Sequence, residues 1–272
     1  MELPSPATLA VAGTLVVVVP NQEGLLICAD RRTYDSERGD VDTNLKIGKL
    51  NKWAAVASTG HTTYRRRSDF SVEYDANVEA GKFVAANGFS PSAAYWNSLE
   101  AQIEADFTRY AGKHPGWKPQ NPSDHILFQT IFSYFDHAQK PHVVRIRFYF
   151  DGTMRGNDCT ELPLTSFLTF GNTAVPLELL HGKDPRFEDL RSQLRMKPFL
   201  TGPVRADSVT PDDAKSFALW LIRVTSEMTH LLENSTDHVG PTADCAMVSR
   251  TRGFYWFPVD AGKHPPQPKE PR

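Results

Sequence analysis

Gly13-Thr14 stands near the start of this 272-residue chain, ahead of an apolar run, a turn and a second apolar run that ends in Asp30. Taken singly, these residues describe a β-hairpin with a turn-capping aspartate. Taken with Lys46 and Gly60, they form a hydrolytic set. A threonine hydroxyl is a poor nucleophile until a base removes its proton, and cutting the chain before Thr14 would free an α-amine for that task. Such an amine has a pKa of about 7.7–8.0, close to what general-base work at neutral pH needs. Lys46, in the otherwise apolar segment "NLKIG", would lower it further by like-charge repulsion, and a carboxylate such as Asp30 would hold the lysine. Gly13 gives an uncrowded carbonyl for self-cleavage. The N–H of Gly60, at the end of a fourth strand, would face a developing oxyanion.

The elements that must position this set are legible around it. Residues 15–19 and 25–29 are apolar and flank the turn-rich "PNQEG", which predicts a buried hairpin. "NLKIGKL" and "KWAAVAS" predict a second hairpin closing at Thr59-Gly60. The mixed, polar stretch 61–88 reads as a helical start followed by an irregular segment. Ser90-Pro91 is a cap-and-first-turn pair, and Trp96, Leu99, Ile103 and Phe107 recur at helical spacing, so a helix to about Ala111 follows. "ILFQTIFSYFD" and "HVVRIRFYFDG" are strands, with a third near "LTSFLTFG" and a short helix around residues 176–180. Thr210-Pro211-Asp212-Asp213 opens a further helix in capping style. "ADCAMVSR" and "GFYWFPV" close the pattern as a hairpin, ahead of a polar, proline-rich tail over 261–272 that reads as disordered. This order of strands and helices suits an α+β arrangement of two antiparallel sheets with helices outside. No glycine-rich phosphate loop follows the first strand, so a nucleotide cofactor has no support.

Composition bounds the function. The chain is 40% hydrophobic and 23% charged with a net charge of -2, which removes any global basic field for nucleic acid or an anionic membrane. Arg65, Arg66 and Arg67 form one short basic run, read as a solvated face. Cys28, Cys159 and Cys245 are odd in number and far apart, and Cys28 and Cys245 sit in apolar strand-like runs. Free, buried thiols in a reducing, cytoplasmic compartment are the expectation. The nine histidines show no ligand-like pairing with cysteine, and no metal is implied. The apolar run "LAVAGTLVVVV" spans eleven residues, too short for a bilayer, and no positive segment precedes it. Ser235, Asp237 and His238 contain the residue types of a nucleophilic triad, but neighbours on one loop rarely reach one another in that way.

Gly13-Thr14, "ADRRT" with Asp30 and Arg32, "KIGKL" with Lys46, and "ASTG" with Gly60 together resemble a proteasome β-type subunit of the N-terminal nucleophile hydrolase superfamily. The four motifs stand in register without a gap. The resemblance implies a four-layer αββα sandwich over residues 14–260 and a leader over 1–13 removed by autolysis. Thr14 would be nucleophile and base, Asp30 and Lys46 would tune and orient it, Gly60 would bind the oxyanion, and Arg32 would brace Asp30. Thr33, Ser58 and Thr62 would border the pocket for the residue before the scissile bond; all three are small and polar, which suggests a roomy pocket.

Beyond Gly60 the likeness thins. The family's glycine-serine-glycine turn stands here as Gly171-Asn172-Thr173, so Asn172 replaces a serine that contacts the threonine amine. The late family motif survives only within "STDHVGPTADCAMV", where Asp237 or Ser235 would substitute. The leading expectation is a threonine peptidase acting on peptide or unfolded protein without a cofactor. A ring-like homo-oligomer and an ATP-dependent unfoldase would be its partners. The alternatives are a non-catalytic assembly subunit and a small-amide hydrolase of the same superfamily.

Overall fold

The computed structural model describes residues 8–11, 14–35, 39–41, 45–66, 71–113, 126–150, 154–171, 205–231 and 239–257. At 8–11, 33–35, 39–41, 154–155, 157 and 229–231 the description is of the backbone alone. The expected helix at 176–180 and the tail at 261–272 lie outside the described residues.

The apolar runs of the N-terminal region form strands buried on both faces. Strand β1 is Thr8–Val11, followed by the hairpin β2 (Leu15–Asn21) and β3 (Gly24–Asp30). In β2, Leu15, Val17 and Val19 point into one apolar cluster while Val16 and Val18 point into another, as the two-residue period of a strand requires. The short pair β4 (Thr33–Asp35) and β5 (Gly39–Val41) precedes β6 (Ile47–Asn51) and β7 (Ala54–Gly60).

Where a helical start was expected after His61, the chain makes two further strands, β8 (Thr63–Arg66) and β9 (Val72–Asp75). Helix α1 (Ala76–Asn87) follows directly, with the Asp75 carboxylate capping the N–H groups of Asn77 and Val78. Helix α2 (Ala93–Gly112) is capped by Ser92, two residues later than Ser90-Pro91 suggested; its hydroxyl accepts from Tyr95 N.

The second half supplies β10 (Ile126–Phe135), β11 (Pro141–Phe150), β12 (Met154–Glu161), β13 (Leu168–Gly171), α3 (Pro211–Leu231), β14 (Ala243–Ser249) and β15 (Gly253–Phe257). The polar strand β12 was not anticipated. The expected cap of α3 is present: Thr210 Oγ1 accepts from Asp213 N at 3.1 Å and donates to the Asp213 carboxylate at 2.7 Å.

Two five-stranded antiparallel sheets carry the fold, in the orders β12-β11-β10-β7-β6 and β13-β2-β3-β14-β15. Three apolar clusters hold the elements together. One packs α1 and α2 on the first sheet through Trp96, Leu99, Ile103, Phe107, Phe128 and Phe132. A second lies between the sheets, joining Val16, Val18 and Ile27 to Ile47, Ala57 and Ile131. The third seats Ala214, Ala218, Leu221 and Ile222 of α3 on β2, β3 and β14. The molecule is therefore a mixed α+β fold with helices on the first sheet and on the second.

The expectation of free core thiols is overturned. Cys28 and Cys245 stand opposite each other on β3 and β14 and form a disulfide, leaving Cys159 as the free cysteine. Sheet register made the partners: a direct cross-strand pair brings two Cβ atoms within bonding reach. With that bridge, the thiol argument for a reducing compartment falls away. Among the described residues, no helix is long and apolar enough to cross a membrane.

Candidate active site

Thr14 is the residue immediately before β2, and it is buried. The antiparallel ladder sets β3 beside it, with Val16 opposite Ala29, so Asp30 at the end of β3 comes level with the start of β2. Leu15 N donates to Asp30 Oδ1 at 2.8 Å. Arg32 N and Gly240 N donate to Asp30 Oδ2 at 3.1 and 3.0 Å. Lys46 completes the shell, its ammonium 3.2 Å from Oδ1 and 3.3 Å from Oδ2. The same ammonium donates to the Arg32 carbonyl.

Asp30 is wholly buried and Lys46 nearly so. Burial pushes the Asp30 carboxyl upward, while the Lys46 charge and the N–H groups of Gly240 and Leu15 pull it the other way. The effect is a desolvated ion pair placed one residue from the Thr14 backbone. Arg32 meets it through its main chain, with its N–H on Asp30 and its carbonyl on Lys46.

Gly60 closes β7 at a φ of 89°, in the left-handed region, and a Cβ there would lie 2.7 Å from the Leu127 carbonyl oxygen. Only glycine fits that position. Gly171 has a φ of 88° and approaches Thr14 so closely that a Cβ would overlap the Thr14 carbonyl oxygen and lie 3.2 Å from Thr59 Cβ. Three segments thus converge at the start of β2: the end of β3, the end of β7 and the end of β13. Ahead of them, Val11 of β1 stands opposite Thr63 of β8, so the segment before Thr14 is held as a strand that ends at Val11.

Ser58 and Thr62 are buried beside Gly60, and the Ser58 hydroxyl donates to Asn77 Oδ1 at 2.8 Å. The Thr33 backbone lies in β4, and its side chain is outside the described residues. Gly13, Asn172, Ser235 and Asp237 also lie outside them. Several site-shaping residues escaped the sequence reading: Asn77, Gly171 as a packing glycine, Gly240 as a donor, and the Arg31–Asp244 ion pair. The Arg31 guanidinium binds the Asp244 carboxylate through both nitrogens it presents, with Nε at 2.9 Å. Arg31 adjoins Asp30 and Asp244 is on β14, so the pair pins the far side of the site. Among the described residues, no group of three or more His, Cys, Asp and Glu side chains is placed to hold a metal ion.

His61 follows Gly60. Its Nδ1 is buried without a hydrogen-bond partner among the described residues, and burial lowers its pKa to about 4. The folded state therefore keeps this ring neutral while the unfolded chain takes up a proton near pH 6.5. Folding stability is retained above pH 6.5 and falls as pH drops toward 4, by about 1.4 kcal/mol per pH unit from this group. Urea denaturation at pH 7 and at pH 5, compared between wild type and His61→Gln, is expected to show a smaller loss in the variant. Equal losses would mean that the ring is solvated.

No protein-family model matches the chain, and no curated protein matches it significantly.

Proposed function

We propose that the chain is a proteasome-like threonine peptidase of the N-terminal nucleophile class, activated by cutting itself between Gly13 and Thr14. The observation that carries this reading is the buried Asp30–Lys46 pair lying against the backbone at position 14, with Leu15 N on Asp30 at 2.8 Å. The sandwiching of two antiparallel sheets between helices supports the four-layer αββα arrangement that this class has.

In the uncut chain the Thr14 nitrogen belongs to a peptide bond. The Thr14 hydroxyl attacks the Gly13 carbonyl carbon, the acyl group passes from nitrogen to oxygen, and water hydrolyses the ester to release residues 1–13. The freed amine then serves as base in later turnovers. Thr14 Oγ bonds to the substrate carbonyl as its proton moves to the amine. The Gly60 N–H stabilises the oxyanion, and the C–N bond breaks as the leaving amine takes the proton. Water hydrolyses the acyl-enzyme ester and restores the hydroxyl. The Lys46 charge keeps the amine unprotonated at neutral pH, and Asp30 holds Lys46 in place. In this reading the substrates are unfolded polypeptides, and the chain works in a homo-oligomeric ring fed by an ATP-dependent unfoldase.

Intact-mass measurement of the purified protein tests the reading. Wild type and Thr14→Ser are expected to lack residues 1–13 and to hydrolyse peptides, whereas Thr14→Ala keeps the leader and does neither. A folded wild-type chain that retains its leader and hydrolyses nothing overturns the peptidase and leaves an assembly subunit. Hydrolysis of small amides but not of peptides would instead identify an amidase.

A further inference from the structure

We propose that Asn77, in the first turn of α1, determines specificity at this site. It fills the recess beside Gly60, so that only small side chains (Gly, Ala, Ser) are accepted on the acyl side of the scissile bond. The proposal rests on Thr14 being the nucleophile, and it reverses the roomy pocket suggested by the small residues Ser58 and Thr62.

Those two side chains have almost no free surface, at 1% and 7% exposure. At Ser58 the covering group is Asn77. Its Oδ1 accepts from the Ser58 hydroxyl at 2.8 Å, and its Nδ2 donates to the Lys46 carbonyl at 3.1 Å, so both ends of the amide are held. Ser58 N donates to that same carbonyl at 3.3 Å. Gly48 lies alongside Asn77, where a Cβ would stand at ordinary contact distance, 3.8 Å, from Asn77 Cβ.

Asn77 has no easy way out of the recess. The Asp75 carboxylate accepts from Asn77 N at 2.9 Å and from the Thr63 hydroxyl at 3.0 Å. Ala76 N donates to the Thr62 carbonyl at 2.9 Å. Rotating the side chain aside would break its two hydrogen bonds, and moving its backbone would break the helix cap as well.

The polar floor continues past Ser58. Thr130 is paired with Ser58 across β10 and β7 and has no exposed surface, and its hydroxyl makes no hydrogen bond among the described residues. A large apolar side chain forced into the recess would displace Asn77 and take from the buried Ser58 hydroxyl its acceptor, beside a Thr130 hydroxyl that offers no replacement bond, a strong discrimination. The bond that the chain itself offers, after Gly13, has no side chain to place.

The test is a peptide panel varied only at the residue before the scissile bond, with Thr14→Ala as blank. Wild type is expected to cleave after Gly, Ala and Ser at least about tenfold better than after Leu, Gln or Phe. Asn77→Ala is expected to raise relative cleavage after Gln and Leu by about tenfold, and its retained cleavage after Ala reports a folded site. The longer Asn77→Gln moves selection the other way, toward Gly alone. Wild type that cleaves after Leu or Phe as readily as after Ala overturns the proposal, as does an unchanged ranking in both variants. A wild type that retains its leader and cleaves no peptide overturns the underlying threonine reading instead.

Discussion

Asp30→Ala is expected to cost the folded chain about 3–5 kcal/mol, a large share of the stability of an ordinary domain. The carboxylate is wholly buried and accepts from Leu15 N, Arg32 N, Gly240 N and the Lys46 ammonium. Alanine removes the acceptor from all four donors at once, leaving a nearly buried ammonium without the Asp30 charge together with three N–H groups to be satisfied. Urea denaturation is expected to show a midpoint lower by roughly 1–3 M. Adding Lys46→Met removes the stranded charge, so the double variant is expected to be more stable than Asp30→Ala alone. Leader removal, followed by intact mass in the fraction that folds, is expected to slow at least about 100-fold in either variant. A loss below about 1 kcal/mol would show that water reaches the pair and that it acts as a surface salt bridge.

Gly171→Ala is expected to cost about 2–3 kcal/mol and to remove most of the activity through geometry alone. Two penalties combine. Alanine is strained at a φ of 88°, and its Cβ would meet the Thr14 carbonyl oxygen and carbon, the latter at 3.0 Å. These are backbone atoms, which cannot rotate away as the end of a long side chain would. Relief comes only by parting β13 from β2 at the pair Gly171–Leu15, and that shifts Thr14. A displacement of about 1 Å at a reacting group lowers rates by about 100-fold. Comparing the rate of leader removal with the melting temperature separates the two effects. A variant that is as stable as wild type and processes itself at the wild-type rate would mean that the β13–Thr14 approach is loose.

Much of the fold was readable where apolar runs flank a short turn or recur at helical spacing. The hairpins β2–β3, β6–β7, β10–β11 and β14–β15 announce themselves by apolar runs around short turns, and α2 and α3 by their spacing and caps. Strands with few apolar residues were hidden. β8 is polar in pattern and lies between β9, its neighbour, and β1, some fifty residues earlier; nothing near Thr63 signals the pairing with β1. β12 is an edge strand with few apolar residues, held by the register of β11. The Cys28–Cys245 bridge depends on the alignment of β3 with β14 across a separation of 217 residues, which no local reading supplies. The site divides in the same way. Thr14, Asp30, Lys46 and Gly60 could be named from residue type and interval. Asn77, Gly171, Gly240 and the Arg31–Asp244 pair became visible only once topology had brought distant segments to one place. A cue for Asn77 was present in Asp75, an aspartate two residues ahead of it at a helix start.

The hydrogen bond from Gly240 to Asp30, and the ladder of β14 on β3, also bear on the order of events in synthesis. A ribosome releases Thr14 long before residue 240. Until that later portion emerges and docks, Asp30 lacks one donor and β3 lacks a neighbouring strand. A nascent polypeptide ending short of it thus owns every group needed for the proposed cut but not their surroundings. The proposed cut would therefore wait for β14 to dock, and the timing is written into the topology.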